Sequence, residues 1–153
     1  MNDLARQAQP VMENLLQADE AELFEKAGIR LRAIERDPSL AASFDPPAVY
    51  GEAQMGTLDD VRNLGRRIFK RWNREAHNLM CGADPDDAQG RKQLRDALGL
   101  GDVAFAAALT SVLISVGLAP AIATVVAALA VKRFFAPAAD EICKAWTESL
   151  AKE

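Results

Sequence analysis

The sequence predicts an all-α fold, a single-domain bundle of about six or seven helices around an apolar helical hairpin at about 102–135. Three observations point there. Apolar residues recur at spacings of three and four in segments bounded by capping residues, glycine and proline, and no segment alternates with the period of two that a half-buried strand requires. Residues 103–131, VAFAAALTSVLISVGLAPAIATVVAALAV, are 29 positions without one ionisable side chain. Gly117 and Pro120 interrupt that run, and both residue types break helices.

The opening stretch around Leu4 to Leu16 reads as helix, although Pro10 suits a first turn better than an interior. A second helix runs from about Asp19 to Arg36. Its Leu23, Phe24, Ala27, Leu31 and Ile34 form a core-facing stripe, and Asp37-Pro38 ends it. Residues 38–56 hold three prolines and two glycines and form a long loop, in which Leu40 to Phe44 can make one short helical turn. A domain boundary there would leave two small halves, so 1–153 is read as one domain.

The third helix spans about Leu58 to Cys81. Thr57 with Asp60 three residues on is a relative of the capping box, and Gly82 stops the helix. Asp84-Pro85 caps a fourth helix that reaches roughly Leu98 and is closed by Gly99 and Gly101. After the apolar run a last helix starts near Pro137, with Ala139, Ile142, Trp146 and Leu150 on one side.

The apolar run can be shelved in protein or in lipid. As one straight helix it would extend about 43 Å against a hydrocarbon core of about 30 Å, and it is too short for two full spans of about 20 residues. A break at 117–120 makes it a hairpin. Val103, Phe105, Leu109, Leu113 and Ile114 lie on the first arm and Leu118 at the turn; Pro120, Ile122, Val126 and Leu129 lie on the second. Small residues at spacing four (Ala107, Ser111, Ser115, then Ala119, Ala123, Ala127) are expected to let the two arms approach closely. Basic residues flank both ends, Arg91, Lys92 and Arg95 before and Lys132 and Arg133 after. The positive-inside rule then favours a re-entrant or interfacial hairpin over a clean span.

The third helix carries the second signal. From Val61 to Arg74 there are six basic residues and no acidic one. At about 100° per residue, Arg62, Arg66, Arg67, Lys70, Arg71 and Arg74 fan over half the circumference. Val61, Leu64, Ile68, Phe69, Trp72, Ala76 and Leu79 take the other half. Such a helix faces the core with a solvated basic side answered by the acidic N-terminal third, or binds an anionic lipid surface or a partner.

The net charge is −4, divided as −5 over residues 1–56, +2 over 57–101 and −1 over 102–153. That acidity and the scarcity of base-stacking aromatics argue against nucleic acid. The N-terminal MNDLARQAQPVMENLLQ lacks the basic start and apolar core of a secretory signal. The expectation is therefore a cytoplasmic chain, able to sit at the inner face of the membrane, with Cys81 and Cys143 as reduced thiols. His77 and Cys81 share a helix face, yet no third catalytic member or oxyanion hole accompanies them. His77, Cys81 and Cys143 supply three zinc ligands at most. LGLGD at 98–102 lacks a phosphate-loop lysine and reads as a turn; Asp86-Asp87 and Asp140-Glu141 sit where they favour helix N-termini. Trp72 and Trp146 read as core or interfacial anchors.

No catalytic residue, metal or cofactor is expected, and the chain is read as a non-enzyme. An apolar hairpin wrapped by amphipathic helices is the general plan shared by pore-forming colicin domains and the Bcl-2 class, without a residue motif of either. The leading expectation is a small bacterial-type accessory or effector protein that associates with membrane through the hairpin and the basic helix. The alternative is a soluble adaptor with the hairpin as core, docking a protein partner through an exposed helix face.

Overall fold

Among the described residues, polar side chains cap three of the eight α-helices and both 3-10 turns. In the computed structural model, which describes residues 2–136 and 138–152, the Asn2 side chain accepts from the Ala5 amide at 2.8 Å and opens α1 (Asp3–Leu15). The Asp19 carboxylate accepts from the Glu22 amide and opens α2 (Glu20–Arg36). A 3-10 turn at Pro38–Ala42 and a single turn α3 (Glu52–Met55) punctuate the long loop. The Thr57 hydroxyl and Asp60 carboxylate satisfy each other's backbone amides, a complete capping box that starts α4 (Leu58–Cys81). Asp84 caps a 3-10 turn, Pro85–Asp87, leading into α5 (Ala88–Leu98). Then come α6 (Asp102–Ser115), α7 (Pro120–Phe134) and α8 (Ala139–Ala151). No strand occurs among the described residues. Pro137, the expected start of the last helix, lies outside them.

One expectation about α1 needs correction. Pro10 does sit inside α1. It is exposed, so its ring meets solvent and not a neighbour, while Ala5, Ala8, Met12 and Leu15 bury the opposite face against the rest of the core. Tertiary packing thus offsets the lost hydrogen bond. Ser111 on the first arm also meets the N-terminus of α1. Its hydroxyl bonds the Asn2 side chain, which places it on the side of α6 that receives α1.

The hairpin turn has an identifiable geometry. The Leu118 amide donates to the Leu113 carbonyl and the Gly117 amide to the Ile114 carbonyl, the two bonds of a Schellman motif. That motif needs a left-handed residue, and Gly117 supplies it at φ 107°. Pro120 then occupies the first turn of α7, where its missing donor costs nothing. Every residue from Ala121 to Val131 is buried, as is Ala104 to Leu113 on α6. The hairpin is the core.

α2 and α4 cross with their backbones in contact. A β-carbon on Gly28 would run into the Val61 carbonyl, and one on Gly65 into the Phe24 carbonyl. Pairing 28 with 61 and 24 with 65 makes the two helices antiparallel. Beside this crossing the Phe24 and Phe69 rings meet edge-on, 6.1 Å between centroids. Arg133, at the end of α7, lies over both rings, at 5.5 and 5.1 Å, and pairs with Glu20.

Arg30 is buried among apolar helices. Its guanidinium donates to the Ala121 carbonyl and the Thr124 hydroxyl on α7, each at 2.9 Å, and to the Asp45 carboxylate at 2.7 Å. Burial pulls its pKa down from the usual arginine value, and Asp45 opposes that pull. One side chain on α2 thereby ties the long loop to the hairpin.

Candidate docking face

α4 presents the basic residues because its other half is committed to the core. Val61, Phe69, Ala76 and Leu79 are buried as the spacing predicts, joined by Gly65, Asn73 and Met80. Leu64, Ile68 and Trp72 are half-buried and border the basic side. Arg66, Arg67, Lys70, Arg71 and Arg74 are exposed, while Arg62 is half-buried.

The acidic N-terminal third neutralises only Arg62 of this face among the described residues. Arg62 pairs with Glu25 of α2, and with Asp59 one turn back at 3.9 Å. Arg66 bonds the Asn63 side chain at 2.8 Å and lies 5.4 Å from the centre of the Phe24 ring. Arg71 lies over the Trp72 ring at 5.7 Å. Among the described residues, none of the five exposed basic side chains forms an ion pair with a carboxylate. Four of them, Arg67, Lys70, Arg71 and Arg74, fall within two helical turns, so each raises the local potential felt by an approaching anion.

The structure separates the two sets of residues that the sequence reading offered for membrane contact. Phe105, Leu109, Leu113, Leu118, Ile122, Val126 and Leu129 are buried; Val103, Ile114 and Pro120 are half-buried. None is on the surface with the basic face. At the hairpin turn only Ser115, Val116 and Gly117 are exposed. Among the described residues no single helix is long and apolar enough to cross a membrane.

The cysteines are not the reduced thiols expected from the sequence. Cys81, the last residue of α4, is bonded to Cys143 of α8, with 5.7 Å between their α-carbons. Their separation of 62 residues hides this pairing in the sequence; the only signal was an even cysteine count. The bond leaves Cys81 no thiolate to act as a nucleophile beside His77. His77 instead bonds the Thr147 hydroxyl at 2.9 Å through Nε2 and meets the edge of Trp146. Among the described residues no group of three or more His, Cys, Asp or Glu is placed to hold a metal ion.

Trp146 is core, with its ring stacked on Phe134 at 5.0 Å and its indole N–H donating to the Asn73 side chain at 2.7 Å. Comparison with family models, curated proteins and solved structures finds no match to this chain. The functional reading therefore rests on the molecule alone.

Proposed function

We propose that this protein is a non-enzymatic helical adaptor that docks an acidic protein partner through the exposed basic face of α4. The observation that carries the reading is the unneutralised row Arg67, Lys70, Arg71 and Arg74, set on a rigid 24-residue helix opposite its buried side. A concentrated positive face on a chain of net charge −4 gives an acidic partner an electrostatically complementary patch. The half-buried strip Leu64, Ile68 and Trp72 beside it supplies apolar area for the same contact. In this reading the chain works in the cytoplasm.

The second reading keeps the membrane as partner. What favours it is the hairpin, two helices apolar on every side, which a lipid phase would accept as readily as a protein core does. It requires α6 and α7 to leave a shelter supplied by α1, α2, α4 and α5, so lipid contact would be a second state of the molecule.

One pair of measurements tests both. The wild-type chain should bind a fluorescent polyglutamate peptide with an affinity that falls as salt rises. Lys70→Glu with Arg74→Glu should weaken that binding about tenfold with an unchanged thermal melt, since neither residue contacts the core. Equal binding by the variant would sink the docking proposal. Sedimentation with phosphatidylglycerol vesicles, accompanied by loss of amide protection in α6 and α7, would move the assignment to the membrane.

A further inference from the structure

We propose that the Cys81–Cys143 bond is a redox latch on α8, so that reduction releases this helix from the bundle while the hairpin core stays folded. The inference takes from the proposed function only the cytoplasmic setting, needs no docking partner, and rests on how α8 is attached. Of its 13 residues only Ile142 and Trp146 are buried, whereas α1, of equal length, buries Ala5, Ala8, Met12 and Leu15. α8 packs chiefly on α4 and α7, at the edge of the molecule.

Its seam is also imperfect. Asn73 is wholly buried and accepts from the Trp146 indole, but its own amide nitrogen is buried with no partner. The seam thus carries a buried donor without a partner, a cost that the indole bond and the Phe134 stack must offset. The exposed Thr147–His77 bond adds little in water. The covalent link closes this weak seam at one end. Both cysteines are partly exposed, within reach of a reductant.

The chemistry is thiol–disulfide exchange with a dithiol reductant. A reductant thiolate attacks one Sγ and expels the other cysteine as thiolate, and the second reductant thiol resolves the mixed disulfide. Two electrons and two protons pass to the protein, leaving Cys81 and Cys143 as thiols and the reductant as a disulfide. In a cytoplasmic protein such bonds are characteristically transient and redox-sensing. Release of α8 would uncover buried Asn73 and open the half-buried His77 and Cys81 further, a row at spacing four that runs beside the basic face of α4.

Hydrogen exchange on the full chain, read by mass spectrometry with and without dithiothreitol, tests this. On reduction, peptides within 139–151 should exchange at least about tenfold faster while those in α6 and α7 keep their protection. Cys143→Ser should behave as the reduced chain in both buffers. If that variant does not fold, reduced wild-type protein alkylated with iodoacetamide takes its place. Unchanged exchange in α8 would overturn the proposal. So would loss of protection in α6 and α7 together with α8, or an air-oxidised chain that still titrates two thiols.

Discussion

The Arg30 guanidinium reaches acceptors on two elements at once, and those on α7, the Ala121 carbonyl and the Thr124 hydroxyl, are buried away from water. Arg30→Ala should lower stability by about 2–4 kcal/mol, read from the denaturant midpoint at an unchanged slope. Asp45→Asn should cost under about 1 kcal/mol, because the Asp45 side chain is 61% exposed and solvent screens its half of the pair. If the two variants lose equally, the ion pair matters more than the bonds to Ala121 and Thr124. Nothing in the sequence marked Arg30. It follows the hydrophobic residues Ala27 and Ile29 as one more charge on an amphipathic helix, and its burial is decided by α7, some ninety positions away. Arg66, Arg67, Lys70, Arg71 and Arg74 were legible because exposure on one side of α4 follows from local periodicity alone.

At the scale of elements, periodicity and caps located nearly everything that depends on neighbours in sequence. The third helix of the reading and α4 have the same ends, since Thr57, Asp60 and Gly82 act within one turn. The short α3 was missed because its four residues bury only Met55 and carry no repeating pattern. The α2–α4 crossing was missed for another reason. Gly28 and Gly65 look like weaknesses inside helices until the opposing carbonyls of Val61 and Phe24 are known. The crossing predicts that Gly65→Ala, which raises helix propensity, nonetheless destabilises the fold. A loss of at least about 2 kcal/mol in chemical denaturation is expected, because a backbone carbonyl cannot swing aside as a side chain can. A neutral or stabilising result would mean that the two helices have room to part.

For the whole molecule, the sequence predicted a broken, folded-back run and left its surroundings open. Gly117 and Pro120 fix the break, but the same uniformly apolar arms would suit lipid or protein. Only the amphipathic faces of α1, α2, α4 and α5, each readable singly, show when assembled that enough apolar surface exists to cover them. The bond between Cys81 and Cys143 has a topological effect on that assembly. It turns α5, α6, α7 and the start of α8 into a ring, so one backbone cut within the ring opens a circle without yielding two molecules. The turn at Gly99 and Leu100 is exposed, with Leu100 70% accessible, and offers chymotrypsin a site. A chain nicked there should run at full size on a non-reducing gel and separate into two bands only after reduction. Separation without reductant would show that the circle had never closed.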